Sequence, residues 1–207
     1  MPIKKEREYR TMAQPFEIRT DDEGNKPSFL VEGYATTFNQ PYLMFEDTDG
    51  TKYFESVDAR AFDDADLSDV IMQFDHSGMV YARNRNKSLQ LETDEHGLKV
   101  TADLGLTEQS RQLYEAIKTG LVSDMSFAFV VADDFYDKET RTRNITKIKK
   151  VYDVSAVSIP ANPETTISAR SYVDGVIEQE ARELREAEAI KDEIRKLIIK
   201  TEVTKWS

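Results

Sequence analysis

Three short apolar runs, each carrying or leading into one reactive polar side chain, constrain the fold of this chain more than any other feature. One run contains the hydroxyl of Ser126, a second contains the carboxyl of Asp153, and a third ends just before the imidazole of His76. Apolar, β-branched and aromatic runs bounded by Gly, Pro or Asp are typical of strands. A hydroxyl, an imidazole and a carboxylate are the residue set of a serine protease. The runs are Val70–Phe74, Gly120–Val130 and Val151–Pro160.

Each of these side chains has a structural interpretation beside the catalytic one. Ser126 is either a small residue in a buried strand or a nucleophile, which needs a neighbouring base because a free hydroxyl is barely ionised near neutral pH. His76 is either an exposed loop histidine or that base, since imidazole titrates near working pH. Asp153 is either an edge-strand acid bonded to Lys149 or Lys150, or the buried group that orients the imidazole.

The second of the two histidines, His96, lies in the turn-like run Asp94–Gly97. We interpret it as a solvated turn residue; the alternative is a third catalytic group, as a second histidine is in some viral serine proteases. Asp75 beside His76 raises the alternative of a metal site, but one histidine among scattered acids lacks the spacing of known ligand sets. The run Asp47–Gly50 lacks the glutamate of a calcium loop. We therefore expect no metal and no cofactor.

Composition argues against several classes of function. A formal net charge of −11 over 207 residues disfavours non-specific binding of nucleic acid and of anionic membranes, since both need positive surface potential. The absence of cysteine excludes disulfides, thiolate zinc sites and a cysteine nucleophile. The charged N-terminus has no signal-peptide core, and no apolar run approaches the length of a membrane span. We expect neither a nucleic-acid partner nor a membrane partner.

The pattern of apolar residues divides the chain into three parts. Residues 1–15 are polar and basic, and we predict a mobile segment there. Residues 16–172 hold the strand-like runs and form the predicted main domain. Residues 173–207 are rich in Glu, Arg, Ala and Lys, with apolar side chains every three or four positions, which predicts a charged amphipathic helix. Its narrow apolar stripe suits docking on the domain or on a partner helix, and a solvated helix is the alternative.

Two helices are predicted inside the main domain. Ala59–Leu67 is expected to form a short one, and residues 39–56 before it are expected to be a loop. A second helix begins after the predicted N-cap Thr107 and ends at Gly120.

Several motifs in a fixed order carry a resemblance to a known family. They are Val31–Asn39, Ala61–Phe62 before a short acidic stretch, Phe74–Ser77, Asp94–Val100, Gly120–Phe129 and Asp153–Pro163. Over roughly residues 16–172 the chain thereby resembles the prohead (capsid maturation) proteases of tailed bacteriophages, a family similar to the herpesvirus assembly proteases. Each motif alone is unspecific, and it is their order and spacing that identify the family.

The resemblance implies a fold and a set of roles. The expected fold class is α+β, a closed or nearly closed and mostly antiparallel β-barrel wrapped by helices, as in the herpesvirus proteases. His76 matches the family histidine, Ser126 the nucleophile, and Asp153 the acid position, where the family usually has glutamate. Separately from the resemblance, we expect backbone N–H groups of the loop after Pro160, through Arg170, to form the oxyanion hole.

The resemblance also implies a function, a place and partners. The expected activity is that of a serine endopeptidase that cleaves the major capsid protein or scaffold segments, and also itself, inside the assembling prohead in the bacterial cytoplasm. The C-terminal helix is then expected to be a docking element, a contact for self-association or a region of autocleavage. One alternative function is a catalytically silent capsid-assembly scaffold on the same fold. Another is a β-rich binding module in which Ser126, His76 and Asp153 are all structural.

Overall fold

The computed structural model describes residues 6–12, 15–19, 28–158 and 163–205, and it divides into two compact units, Pro2–Ala169 and Arg170–Ser207. Within the described residues the first unit is built from eleven strands and one α-helix, α1 (Glu108–Lys118). The strands are β1 (Glu8–Met12), β2 (Glu17–Arg19), β3 (Leu30–Thr37), β4 (Tyr42–Glu46), β5 (Lys52–Val57), β6 (Ile71–Phe74), β7 (Ser77–Arg83), β8 (Leu89–Thr93), β9 (Gly97–Asp103), β10 (Asp124–Asp137) and β11 (Thr142–Val157). A second helix, α2 (Pro163–Lys205), ends the chain.

The strands form two sheets and, in the described part of the chain, no closed barrel. One sheet has the order β1-β10-β11-β5-β4, with β6 and β7 branching from β11, and the other has the order β2-β3-β9-β8. The long strand β11 pairs in parallel with β5 along one half and with β6 along the other. Because β5 and β6 pair with different halves of β11, the sheet branches there instead of closing. The α+β class is confirmed, the closed barrel wrapped by helices is not observed, and likeness to the herpesvirus proteases stays a prediction.

The hydrophobic core lies around β10, which is buried from Met125 to Val131. The rings of Phe127 and Phe129 are fully buried and stack with centroids 4.3 Å apart. Removing such a ring from water stabilises a fold by about 1.5–3 kcal/mol. The strand that carries Ser126 is therefore packed into the core, between β1 and β11 in its sheet.

Helix α1 forms where the sequence predicts a helix. The Thr107 side chain accepts a hydrogen bond from the Ser110 backbone N–H at 3.0 Å, as an N-cap does. Leu113 and Ile117 are buried, and Gly120 follows the helix with φ +74°, a left-handed conformation that costs glycine little.

Two predictions for the preceding segment are wrong. Ala59–Leu67 is a series of turns, closed by backbone hydrogen bonds such as Ala61 N–H to Asp58 C=O, and not a helix. The Asp58 and Asp66 side chains accept from the N–H groups of Arg60 and Ser68, which favours turns over a helix. The expected loop over 39–56 contains β4 and β5, which are antiparallel neighbours.

The C-terminal helix is confirmed, and it begins ten residues before the predicted boundary at 173. Large apolar side chains remain exposed along it: Ile177, Leu184, Ile190, Ile194 and Ile198. Among the described residues, no helix is both long enough and apolar enough to cross a membrane. The predicted domain boundaries at 15/16 and 172/173 stay predictions.

Strand β1 departs from the prediction of a mobile segment over residues 1–15, of which 1–5 and 13–14 lie outside the described residues. It pairs antiparallel with β10 in a continuous register from Glu8↔Phe129 to Met12↔Met125. The sequence interpretation missed it because its inward-facing side chain is the charged Arg10, which is 1% exposed.

Buried charges fasten β1 to the sheet. Arg10 donates from Nε and Nη2 to the two carboxylate oxygens of Glu55 at 2.6 and 2.8 Å, and also to Glu8 at 2.8 Å. Arg143 donates to Glu8 at 2.5 and 3.0 Å, to Glu55 at 3.1 Å and to Asp134 at 2.6 Å. We call these five residues, Glu8, Arg10, Glu55, Asp134 and Arg143, the arginine–glutamate cluster. Pairs of this kind are costly to break on one side only, because the remaining charge stays buried.

The charges of the cluster reinforce one another. Burial alone disfavours the charged forms of Arg10 and Arg143, but Glu55 and Glu8 outweigh it, so both pKa values lie above the ordinary range. Burial disfavours the Glu55 carboxylate too, but the two arginines hold its pKa below 4.5. Burial and the Glu55 charge raise the pKa of Tyr42, whose hydroxyl donates to Glu55, well above 10.0. Near neutral pH the arginines and Glu55 are therefore charged and Tyr42 is neutral.

Acid should destabilise the protein partly through Glu55. Since its pKa is lower in the folded chain than the ordinary 4.5, its stabilisation is fully present above that pH and is lost as the pH falls through the folded value. We expect Glu55→Gln to lower the free energy of unfolding near pH 7 by about 3–5 kcal/mol, as breaking a buried pair does. Between about pH 6 and pH 3 the variant should lose less stability than the wild type, because it lacks this titrating group.

Urea unfolding of both chains across this pH range measures the difference. The other carboxyls with lowered pKa values are present in both chains, so their contribution cancels. Equal loss of stability with acid in the two chains would contradict the role given to Glu55.

Candidate active site

Three strands of the larger sheet bring the predicted site residues together. Strand β11 pairs with β10 on one side, with Ser155 opposite Ser126, and with β6 on the other, with Asp153 opposite Ile71. Strand β6 ends at Phe74, and His76 lies two residues beyond that end. The topology thus places Asp153 on the strand that lies between the strand of Ser126 and the strand that leads to His76.

The three side chains form a hydrogen-bonded chain. His76 Nδ1 lies 2.5 Å from Asp153 Oδ1, and His76 Nε2 lies 2.7 Å from Ser126 Oγ. Ser126 is fully buried, and the His76 and Asp153 side chains are 2% and 3% exposed. In this arrangement a serine hydroxyl can pass its proton to an imidazole whose other nitrogen faces a carboxylate.

The Asp153 carboxylate has a second partner. The Ser155 hydroxyl, two residues along β11, donates to Asp153 Oδ1 at 2.8 Å. A buried carboxylate is costly unless its oxygens are hydrogen-bonded. Ser155 thus helps to keep the acid oriented at the imidazole, a role that the sequence interpretation missed, although its signal was the alternation of Asp153 and Ser155 along one strand.

A tight turn sets the direction of the imidazole. Asp75 and His76 both have positive φ, at 48° and 54°, which is uncommon outside glycine. The Asp75 carboxylate accepts from the backbone N–H and the hydroxyl of Ser158, at 2.9 and 2.8 Å, and its own N–H donates to Ala156 C=O at 3.0 Å. The sequence interpretation considered Asp75 only as a metal ligand, whereas the structure uses it to tie the histidine turn to β11.

Strand β1 lies directly over the site. The Arg10 carbonyl oxygen is 3.0 Å from Ser126 Oγ, and the Tyr9 ring packs edge-on against the His76 ring, with centroids 4.8 Å apart. One hydroxyl carries one proton, so Ser126 cannot donate to the Arg10 carbonyl and to His76 at the same time. Ser126 is thus fully buried, with β1 covering it.

The other predicted site groups lie elsewhere or outside the description. His96 is in the turn between β8 and β9, where its ring packs against Tyr34 at 4.5 Å, and it is not part of the hydrogen-bonded chain. Of the loop predicted for the oxyanion donors, residues 159–162 lie outside the described residues, and residues 163–170 form the start of helix α2 instead of a loop. The identity of the donors stays a prediction. In the part of the chain that the structure describes, no three His, Cys, Asp or Glu side chains are grouped to hold a metal ion.

A serine hydroxyl bonded to a histidine that is bonded to a buried aspartate defines a candidate serine hydrolase site. The chain matches the model of the caudovirus prohead serine protease family over residues 14–177, which include all three groups. The chain belongs to this family, as its motifs predict.

One relative is the protein named "Prohead protease" from Enterobacteria phage HK97. It is 30% identical over 161 residues, which cover 77% of this chain and 67% of that protein. Comparison with solved structures found no match.

Replacing Asp75 should loosen the histidine turn. Asp75→Ala removes both acceptors of Ser158 and places alanine at positive φ, so we expect a loss of about 1–3 kcal/mol in the free energy of unfolding. Asp75→Asn keeps a side-chain oxygen and is better tolerated at positive φ, so it should retain most of the stability. Urea titration of both variants checks this, and equal losses would contradict the proposed tie.

Proposed function

We propose that this chain is a serine endopeptidase of prohead maturation, with Ser126 as nucleophile, His76 as general base and acid, and Asp153 as the group that orients and stabilises the imidazolium. The hydrogen-bonded chain from Asp153 through His76 to Ser126 carries the proposal. Membership of the prohead serine protease family supports it independently.

The geometry suits acyl transfer. As Ser126 Oγ attacks the substrate carbonyl carbon, its proton moves to His76 Nε2, and the imidazolium that forms faces the Asp153 carboxylate at Nδ1. When the tetrahedral intermediate collapses, His76 gives the proton to the leaving amine. A water molecule then hydrolyses the acyl ester with His76 again as base.

The proposed substrates are the major capsid protein, scaffold segments and the chain itself, cut inside the assembling prohead in the bacterial host. The family description and the name of the HK97 relative support this setting. We also propose the exposed apolar residues of α2 as the contact for self-association or for docking on the shell.

Replacing the nucleophile is the direct test. We expect wild-type chain co-expressed with the capsid protein of the same phage to yield a shortened capsid protein or a shortened enzyme, as measured by intact mass. Ser126→Ala should leave both full-length, because no other hydroxyl is bonded to His76 in the described residues. Ser123→Ala is the matched control: its hydroxyl is exposed, is bonded to Asp124, and should not affect cleavage.

Either outcome is decisive for the function. Loss of cleavage with Ser126→Ala alone establishes a Ser126-dependent protease. Full-length products from wild type and both variants, with shells visibly assembled, would contradict the proposal and favour the silent scaffold.

Replacing the acid should impair the chemical step more than folding. Asp153→Asn retains the shape of the side chain but no longer supplies the charge that stabilises imidazolium, and it favours the wrong imidazole tautomer. We expect kcat to fall by roughly 10³–10⁴-fold, as in other triads, with little change in KM. Cleavage kinetics on one peptide substrate measure this, and an unchanged kcat would exclude Asp153 from the mechanism.

A further inference from the structure

We propose that Glu55, supported by Arg143 and Tyr42, forms the pocket that selects the substrate residue on the N-terminal side of the cut bond, and that this residue is arginine. The proposal rests on the proposed protease function and adds the substrate class. Arg10 of β1 occupies the pocket in the structure and shows how an arginine of a substrate strand would bind.

The position of β1 is that of a bound peptide strand. Among the described strands it is an edge strand that pairs only with β10, the strand that carries the nucleophile. Peptides often bind proteins by adding a strand to such an edge, where backbone hydrogen bonds give affinity and side-chain pockets give specificity. A substrate that replaces β1 in the same register would present its side chains to the same neighbours.

The register identifies the bond at the nucleophile. Ser126 Oγ lies 3.0 Å from the Arg10 carbonyl oxygen, so this carbonyl is the one presented to the site. For a substrate strand in this register, Ser126 Oγ bonds to the arginine carbonyl carbon and the bond to the next nitrogen breaks. The leaving amine takes the proton from His76, and water hydrolyses the ester to a C-terminal arginine carboxylate.

The pocket is built for a guanidinium. Glu55 is fully buried on β5, and both its oxygens accept from Arg10, from Nε at 2.6 Å and from Nη2 at 2.8 Å. Arg10 Nη1 donates to the Tyr9 carbonyl at 2.8 Å, and its guanidinium lies 5.8 Å from the centre of the Phe129 ring. A planar guanidinium fork can donate to both oxygens at once, whereas lysine presents one point charge at the same site.

The charges that remain in the cluster without β1 are net negative, which favours binding of this cation. Without the β1 side chains, the cluster retains two acids, Glu55 and Asp134, and one base, Arg143. Arg143 also donates to Glu8 of β1 at 2.5 and 3.0 Å. A substrate with an acid two residues before its arginine would reproduce both sets of contacts.

Cleavage of a peptide series by the full wild-type chain, purified together with its capsid protein, tests the pocket. The peptides share the sequence Glu-Tyr-Xaa-Thr-Met with flanking residues, where Xaa is arginine, citrulline, lysine or leucine. Citrulline keeps the shape of arginine but has no charge. We expect the arginine peptide to be cut after Xaa and the citrulline peptide to be cut at least about 100-fold more slowly. The Ser126→Ala variant should cut neither peptide.

A pair of variants assigns the preference to Glu55. Glu55→Gln should lower the ratio of arginine to citrulline cleavage rates at least about tenfold, because the amide no longer favours the cation. Glu32→Gln is the matched control, since Glu32 is a strand carboxylate paired with Arg19 and Lys99 on the other sheet. If Glu55→Gln does not fold, the wild-type series decides.

The possible outcomes distinguish failure of the arginine pocket from failure of the proposed protease function. Equal cleavage rates for the arginine and citrulline peptides would contradict the arginine pocket. Ser126-dependent cuts that do not follow arginine, in the capsid protein or in the peptides, would also contradict it. Either result would leave the proposed protease function supported. No Ser126-dependent cleavage of any peptide or of the capsid protein would overturn both.

Discussion

The buried carboxylate of Asp153 is the constraint on which the arrangement of the site depends. An acid inside an apolar strand must be hydrogen-bonded or paired, and here His76 and Ser155 provide the partners. Because β11 lies between β10 and β6, satisfying this one group also brings the imidazole to the Ser126 hydroxyl. The tie between Asp75 and Ser158 then holds the strained histidine turn against the same strand.

A second buried charge network holds β1 over the site. The arginine–glutamate cluster holds β1 beside β10, and β1 in turn covers the nucleophile through the Arg10 carbonyl and the Tyr9 ring. Access to Ser126 and the position of the Arg10 side chain are therefore coupled. The contacts that β1 makes over the site are the contacts that we propose for a substrate strand.

The sequence predicted the three side chains that the structure brings together, and it predicted less of the fold. Ser126, His76 and Asp153 were recognisable because each is an isolated polar group on or beside an apolar run, and the family motifs set their order. The strands β1 and β5 were missed because their buried side chains include Arg10 and Glu55, which are 45 positions apart and appear polar until paired. A helix was predicted over Ala59–Leu67, but the segment forms turns because aspartate side chains bond to the backbone locally. The branching of the sheet at β11 depends on long-range pairing that no local pattern encodes.

Labelling with a small fluorophosphonate, followed by peptide mapping, tests most directly that Ser126 is a histidine-activated nucleophile. The reagent is applied to the full chain in complex with its capsid protein, as wild type and as His76→Ala. The account predicts a phosphonyl group on Ser126 of the wild type, above the level at other serines such as Ser123, and none on Ser126 of His76→Ala. An unlabelled Ser126 in the wild type, or equal labelling in both chains, would contradict it.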